Sequence, residues 1–289
     1  MPMIVRWGML RKKIGGFYLV QNLGSGGVAD VFLAINPRTR QKCVYRIYGR
    51  RATKGMPVYT RFLREVDFVR RLSHPGIIKI LDSGIFEDGC YYGMEYFPKG
   101  NFNRLLARGK MPVEEAVSLC VSICEAAAYA HARGIVHGNL KPSNVFLNSA
   151  GEPVIGDFAF AGTLDHESSA RKLTGEILGK IGYQAPERRF AAQKPSQRAD
   201  VYSLGAMLYE MLMGFPPLGN FPWPLDVHMD FPEPLQSILQ KCLAAQPEKR
   251  YQNAGSLHLD LAQCRASTGE DRDAIEDIVA ANGFADDNA

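Results

Sequence analysis

Residues 136–147 read Val136-His137-Gly138-Asn139-Leu140-Lys141-Pro142-Ser143-Asn144-Val145-Phe146-Leu147, and this stretch decides how the rest of the chain is interpreted. Upstream of it, apolar residues recur at helical spacing through residues 113–134 and predict a helix that leads into the stretch. Downstream stands Asp157-Phe158-Ala159. The chain therefore presents, in this order, a helix, a loop carrying two asparagines and a lysine, and a turn carrying a carboxylate.

This loop resembles the catalytic loop of eukaryotic-type protein kinases, H-R-D-L-x-x-x-N, and residues 157–159 resemble their metal-binding turn, D-F-G. The resemblance implies that Asn144 and Asp157 hold Mg²⁺. It places Asn139 where the family has the aspartate that accepts the proton of the substrate hydroxyl. A neutral amide takes no proton at physiological pH, so we expect impaired phosphotransfer. Lys141 is the other predicted catalytic residue, and Lys141-Pro142 is typical of the Ser/Thr class.

The resemblance continues at the start of the chain with a strand, a glycine turn and a second strand. The kinase phosphate loop reads G-x-G-x-x-G-x-V, and here Gly24, Gly26 and Val31 match it while Ala29 takes the third glycine position. Glycines in such a loop let backbone amides approach phosphates without side-chain clashes. On its own this pattern is also that of an ordinary tight hairpin.

Two residues of the next predicted strand, Val44 and Arg46, lie on one face because side chains alternate along a strand. By resemblance, Arg46 stands where kinases anchor phosphates with a lysine, and Val44 stands where they have an alanine above the adenine. Arginine keeps the charge but is a longer planar fork. A helix is predicted over residues 59–72, and Glu65 on it is expected to form an ion pair with Arg46.

The remaining predicted nucleotide contacts lie where the resemblance places the hinge and the floor of the cleft. Met94 would lie behind the adenine, the backbone of Glu95 to Phe97 would hydrogen-bond to it, and Phe146 would face the same cleft. An edge strand that binds no ligand is the alternative interpretation of residues 91–97. The expected cofactors are ATP and Mg²⁺.

The second half of the chain is similar to the structural framework of the family. Asp200 is expected to brace the catalytic loop, and Arg250 to pair with Glu187 of the Ala185-Pro186-Glu187 motif. In this half of the chain, three positions besides Asn139 depart from the family pattern: Gly138 replaces the H-R-D arginine, Ala159 replaces the D-F-G glycine, and Lys180 replaces an activation-segment threonine. Ser168, Ser169 and Thr174 remain candidate phosphorylation sites.

The predicted fold is α+β, a bilobal protein-kinase fold with a small β-rich N-lobe and a larger helical C-lobe. We assign residues 1–14 to an N-terminal extension, 15–97 to the N-lobe, 98–265 to the C-lobe and 266–289 to an acidic C-terminal tail. The tail carries an apolar stripe within residues 271–281 that predicts a helix.

Composition narrows the function classes. The net charge of +4 and the lack of a basic tract with aromatics argue against nucleic-acid binding. No apolar run reaches the roughly 18 to 20 residues that a membrane helix needs. The six cysteines form no C-x-x-C pair and are interpreted as reduced core residues. A metal pair at Cys120 and Cys124 is the less favoured interpretation of those two. We expect a cytoplasmic location.

Three functions are compatible with these residues. The first is a pseudokinase, a regulatory or scaffold signalling module that retains some ATP and Mg²⁺ binding and acts on another protein. The second is a slow or atypical ATP-dependent Ser/Thr protein kinase. The third is a purely structural domain whose cleft is filled by its own side chains, Val44 and Phe146 included. Because a general base contributes about 10² to 10⁴ in rate, the sequence favours the first interpretation.

Overall fold

The structure is a computed structural model, and it describes residues 9–25, 29–49, 62–63, 66–86, 89–158, 182–189, 194–218 and 231–265. These residues divide into two units. The first unit holds the described residues up to 101 together with 144–158. The second unit holds residues 102–143 and the described residues from 182 to 265.

An antiparallel sheet of six strands forms most of the first unit, in the order β1-β2-β3-β4-β6-β5. Aromatic and β-branched residues of its central strands, among them Phe32, Tyr45, Ile47 and Tyr92, are buried, as expected for a sheet with buried faces. A second, two-stranded sheet pairs β7 with β8. The strands are β1 (Lys13–Ile14), β2 (Phe17–Ser25), β3 (Asp30–Ile35), β4 (Lys42–Gly49), β5 (Ile80–Phe86), β6 (Gly89–Glu95), β7 (Val145–Leu147) and β8 (Pro153–Ile155).

The sheet begins within the segment that the sequence assigns to an N-terminal extension. Lys13–Ile14 pairs with β2, and Met9 and Ile14 are buried in the same apolar cluster as Leu19. Burial of these apolar side chains explains why the ordered sheet starts before residue 15.

The helix predicted over residues 59–72 is seen in its described part, residues 62–63 and 66–70. Phe62, Val66 and Val69 are all buried, which confirms the apolar stripe. Glu65 lies outside the described residues.

Helices form the second unit, and their bounds are α1 (Asn103–Leu106), α2 (Val113–His131), α3 (Pro186–Arg189), α4 (Gln197–Met213) and α5 (Glu233–Cys242). Residues 254–265 are also helical. Turns of 3-10 helix occupy Pro142–Asn144 and Pro247–Lys249. The buried face of α2 carries the predicted core residues Val117, Cys120, Val121 and Cys124.

The central helix of the second unit is α4. Its N-terminus is capped by Ser196, whose side chain accepts a hydrogen bond from the Ala199 N–H, and it ends at Gly214 in the left-handed conformation with φ 82°. Nearly every residue between is buried. Gly205 permits the close packing against α5, because a Cβ at this position would lie 2.3 Å from the Cβ of Cys242.

All six cysteines of the chain are buried and free of disulfide bonds, as predicted for core thiols. The sulfurs of Cys120 and Cys124 lie 4.0 Å apart. Within the described ranges, no group of three or more His, Cys, Asp or Glu side chains is arranged to hold a metal ion. Among the described helices, none combines the length and apolarity required to cross a bilayer.

Candidate functional site

Arg46 lies in the middle of β4, between two strands whose registers fix its neighbours. Its partner residue on β3 is Val31 and its partner on β6 is Tyr92. Two residues earlier, Val44 stands opposite Met94, and both of these side chains are buried. The sheet thus brings together four side chains near Arg46, of which the sequence identified all but Tyr92.

The guanidinium of Arg46 forms an ion pair with Asp157, with Nη2 of Arg46 2.9 Å from Oδ2 of Asp157. The other carboxylate oxygen, Oδ1, accepts a hydrogen bond of 2.8 Å from the hydroxyl of Tyr92. Both oxygens of Asp157 are therefore engaged by side chains of the sheet. The predicted partner of Arg46, Glu65, lies outside the described residues, and the described partner is the carboxylate that the sequence assigned to Mg²⁺.

The surroundings of Arg46 and Tyr92 raise the pKa values of both side chains. Burial acts to lower the pKa of Arg46, but Asp157 and the neighbouring tyrosines Tyr92 and Tyr48 outweigh it and raise the pKa above its ordinary value. Burial, and then the negative charge of Asp157, raise the pKa of Tyr92 well above its ordinary value. The arginine stays charged and the phenol stays a donor at neutral pH.

Asp157 itself has an uncommon backbone conformation. Its φ is 62°, in the left-handed region that non-glycine residues rarely adopt. The side chain is buried between β4, β6 and its own turn. Such a conformation persists where surrounding contacts fix it, and here the two contacts to the carboxylate do so.

The second predicted magnesium ligand, Asn144, is linked by a backbone hydrogen bond to Gly156, the residue before Asp157. The N–H of Gly156 donates to the backbone carbonyl of Asn144 at 2.9 Å, and the Asn144 residue is buried. Mg²⁺ requires near-octahedral oxygen ligands at about 2.0–2.1 Å. Each oxygen of Asp157 already accepts from one donor, and the donor at Oδ2 is the positively charged Arg46, so the residues as arranged fit a divalent ion at Asp157 poorly.

Two of the predicted hinge and cleft residues, Phe97 and Phe146, contact each other in the first unit. The ring of Phe97 stacks on that of Phe146, with centroids 5.6 Å apart. The N–H of Glu95 donates to the Lys79 carbonyl, and the carbonyl of Phe97 accepts from the N–H of Gly100. Those two backbone groups are therefore already bonded within the protein, and nucleotide contacts at residues 95–97 remain a prediction.

Of the predicted glycine loop, Gly24 and Val31 are described and Gly26 is not. Gly24 pairs with Val31 across β2 and β3, and its N–H donates to the side chain of Asn22 at 2.8 Å. A Cβ built on Gly24 would meet no atom of the described residues within 4 Å, so those residues leave open space beside this strand.

In the second unit, Asp200 organises the loop that carries Asn139 and Lys141. Its carboxylate accepts hydrogen bonds from the backbone N–H groups of His137, at 2.7 Å, and Gly138, at 2.8 Å. It also lies 3.0 Å from Nε2 of His131. Since Nδ1 of His131 accepts from the Ala254 N–H, Nε2 carries the proton that is donated to Asp200.

Arg188, which the sequence did not indicate as a site residue, contacts the loop that carries Asn139 and Lys141. Its Nη1 donates to the carbonyl of Gly138 at 2.6 Å. Gly138 has a φ of 70°, so a glycine suits this position of the loop. Burial lowers the pKa of Arg188. Next to this contact is a cavity of about 160 Å³, lined by Gly138, Asn139, Leu140, Lys141, Tyr183, Gln184, Ala185, Arg188, Ala199 and Ser203.

The structure brings Arg250 and Glu187 into a bidentate pair, with N···O distances of 2.8 Å and 2.9 Å. Arg250 is buried and also donates to the carbonyls of Ala244, Ala245 and Arg198. This arrangement holds α3 to the segment around Pro247–Lys249 and involves no group placed for chemistry.

Several predictions fall outside the described residues. These are the roles of Gly26 and Glu65, the departures at Ala159 and Lys180, the phosphorylation candidates Ser168, Ser169 and Thr174, and the acidic tail. They stay predictions.

Comparison with known proteins agrees with this fold. The sequence profile of the protein kinase domain matches residues 17–260. The serine/threonine-protein kinase PknB of Mycobacterium leprae is 30% identical over 258 residues, which are 83% of this chain and 41% of that protein. PknB of Mycobacterium tuberculosis is 29% identical over 273 residues, 88% of this chain and 43% of the relative. The chain thus spans about two-fifths of the length of these relatives.

A solved structure gives the same picture of the fold. The crystal structure of the Mycobacterium tuberculosis PknI kinase domain matches with a TM-score of 0.68 and 23% identity. The match covers 88% of this chain and 98% of that chain. The predicted α+β fold, a β-rich N-terminal part followed by a helical part, is confirmed.

Proposed function

The chain belongs to the protein kinase family, and from this premise we propose that it is a pseudokinase domain: a regulatory or scaffold module that binds a nucleotide and transfers phosphate poorly or not at all. The observation that carries the proposal is the engagement of Asp157 by Arg46 and Tyr92. The carboxylate that should position a metal is committed to a side chain of the protein.

The base position supports the same conclusion. Asn139 carries a neutral amide in a loop held by Asp200, so the loop is formed but lacks a proton acceptor at that residue. A positioned general base contributes about 10² to 10⁴ in rate. The missing base is a second departure, beside the engagement of Asp157, that lowers the expected rate of transfer.

The nucleotide would be held by groups of the first unit. The buried pair of Val44 and Met94 offers an apolar surface to a base, and the charge of Arg46 faces phosphates. Open space beside Gly24 allows a backbone approach. Members of this family use ATP with Mg²⁺, which neutralises phosphate charge during transfer. Because the residues here do not fit the metal, no step of the proposed function depends on it.

We place the domain's action on another protein, which is either a substrate-like or a regulated partner, and its location in the cytoplasm. The chain's own contribution to such signalling would be its shape with and without nucleotide. Fixed contacts such as the Glu187–Arg250 pair support a scaffold that keeps one arrangement of the second unit.

A slow Ser/Thr protein kinase is the second candidate. The names of the relatives favour it, as does the presence of Lys141, Asn144 and Asp157. In this candidate the Arg46–Asp157 pair opens when substrate binds, and Asn139 limits the rate.

One comparison of variants tests the proposal. Phosphate transfer from radiolabelled ATP to a generic protein substrate is measured for the native chain, Asn139→Asp and the double variant Asn139→Asp/Arg46→Lys, beside nucleotide binding by thermal shift. We expect nucleotide binding in all three chains, with transfer detectable only in the double variant. Robust transfer by the native chain that Asp157→Ala abolishes would favour the kinase. Absence of nucleotide binding in every chain would leave a scaffold alone.

A further inference from the structure

Arg46 is a counter-ion for the Asp157 carboxylate that the protein itself supplies. The guanidinium carries one positive charge, and its Nη2 lies 2.9 Å from the carboxylate. An arginine fork matches carboxylate geometry better than a lysine ammonium does, and it stays charged at any physiological pH. The negative charge of Asp157 is therefore neutralised by a residue of the same unit.

The pair is held in place by the sheet. Arg46 and Tyr92 are register partners on β4 and β6, so the two groups that contact the carboxylate are fixed by the same ladder. The Tyr48 ring is stacked on that of Tyr92, with centroids 6.3 Å apart, and the Phe62 ring lies at the same distance from Tyr92. This packing leaves the phenol little freedom to leave Oδ1 of Asp157.

A divalent ion at Asp157 would meet two obstacles. It would have to share an oxygen that already accepts from Arg46 or Tyr92, although Mg²⁺ binds oxygen at about 2.0–2.1 Å in a strict geometry. It would also lie beside a guanidinium of like sign in partly buried surroundings, where charges interact more strongly than in water. Both obstacles disappear only if Arg46 leaves the carboxylate.

The Arg46 side chain keeps some access for an anion. About a fifth of its surface, 22%, is exposed, although its Nε is a buried atom with no hydrogen-bond partner among the described residues. A phosphate would approach the exposed part of the side chain while Asp157 stays bound at Nη2.

We propose that Arg46 replaces the divalent cation of this site, so that the domain binds nucleoside polyphosphates without a metal and does not bind divalent ions at Asp157. The nucleotide part of this inference rests on the proposed function. The metal part stands on the geometry of Arg46, Tyr92 and Asp157 alone, and the two parts are tested separately.

The metal part is tested with Mn²⁺ and no nucleotide, by electron paramagnetic resonance of the free ion in titrations of the whole chain. We expect the native chain and Asp157→Asn to bind Mn²⁺ equally weakly. Arg46→Met uncovers the carboxylate and should bind at least tenfold more tightly, and Arg46→Met/Asp157→Asn should lose that gain. Tyr92→Phe is the matched control, because it removes one hydrogen bond but keeps the guanidinium, and no gain is expected.

Two results would overturn the metal part. One is tighter Mn²⁺ binding by the native chain than by Asp157→Asn, and the other is equal binding by the native chain and a folded Arg46→Met. Circular dichroism checks the fold of each variant. If Arg46→Met does not fold, the comparison of the native chain with Asp157→Asn decides the question.

The nucleotide part is tested by the thermal shift of the native chain with ADP, in EDTA and in excess Mg²⁺. A shift in EDTA at least as large as that in Mg²⁺ is expected. A shift seen only with Mg²⁺ would overturn the inference and leave the proposed nucleotide binding intact. No shift in either buffer would instead overturn nucleotide binding, and the Mn²⁺ titration would still decide the role of Arg46.

Discussion

Arg46 of the first unit and Arg250 of the second unit both pair with a carboxylate, but they differ in how many acceptors surround the guanidinium. The side chain of Arg250 is fully buried and has acceptors from four residues: the Glu187 carboxylate and the carbonyls of Ala244, Ala245 and Arg198. Arg46 is only partly buried and shares one carboxylate with a tyrosine. The first arrangement is structural, whereas the second leaves Nε of Arg46 without a hydrogen-bond partner among the described residues.

Glu187→Ala should destabilise the protein by about 3 kcal/mol, because it leaves the buried charge of Arg250 without its carboxylate. The carbonyl acceptors that remain keep the loss near the lower end for broken buried pairs. Urea unfolding followed by circular dichroism measures the change. Asp67→Asn is the matched control, since it breaks the exposed Asp67–Arg71 pair and should cost under about 1 kcal/mol. Equal losses would contradict the prediction.

The same pair predicts a pH dependence. Burial alone would raise the pKa of Glu187, but the hydrogen bonds and charge of Arg250 lower the pKa below its ordinary value of 4.5. The unfolded chain therefore binds a proton more readily, and this stabilisation is complete above pH 4.5 and is lost as the pH falls through the folded pKa. Urea midpoints measured between pH 6 and pH 3 should fall, and Glu187→Gln should flatten that part of the curve.

Glu210 provides the control of opposite sign. Burial raises its pKa, and the hydrogen bond from Tyr183 lowers the pKa only in part. Its contribution to stability is greatest at low pH and is lost as the pH rises through the folded pKa. Glu210→Gln should therefore steepen the acid loss of stability, and a parallel curve would count against this assignment.

At the scale of the elements, close packing of α4 on α5 depends on a residue without a side chain. Gly205→Ala should destabilise the protein by about 1–3 kcal/mol, although alanine favours helices by about 1 kcal/mol over glycine. The reason is the 2.3 Å approach of a new Cβ to Cys242. Thermal unfolding checks the sign. Ser122→Ala on α2 is the control, because the Ser122 hydroxyl donates within its own helix, to the Ser118 carbonyl. A stabilised Gly205→Ala would show that the helices can separate at low cost.

Elements with a strong local pattern were predictable from the sequence. The stripe of Phe62, Val66 and Val69 and the buried face of α2 follow from apolar spacing alone. α2 nevertheless ends at His131, three residues before the apolar pattern does, where the His131 side chain turns to Asp200. β1 was assigned to an extension, because two residues carry too little pattern to indicate a strand.

Contacts between distant segments were harder to foresee. Tyr92 reaches Asp157 across 65 positions of sequence, and within β6 it looks like any other buried aromatic residue. Arg188 contacts the carbonyl of Gly138, a backbone group that no side-chain pattern reports. The Glu187–Arg250 pair could be identified from the sequence, but the partners of Asp157 could not, because register and burial determine which charges meet.

For the whole molecule, the reactivity of the cysteine thiols reports how far the chain has unfolded. All six are buried, and burial raises the pKa of the Cys43 and Cys90 thiols to about 12, so little thiolate forms at neutral pH. We expect no rapid reaction with Ellman's reagent at pH 8 and six equivalents in denaturant. Labelling in intermediate urea should follow the loss of circular dichroism. Fast stoichiometric labelling of the native chain that persists in Cys264→Ala would contradict this burial.

The ion pair between Arg46 and Asp157 also constrains how this sequence can change. Replacing either partner alone leaves the other charge partly buried and uncompensated, so the fitness effect of each substitution depends on the residue at the other position. This is epistasis with a defined structural origin. Among descendants of this chain, the two positions should covary as charge-complementary or jointly neutral combinations, and Asn139→Asp alone would leave the Arg46–Asp157 pair as it is.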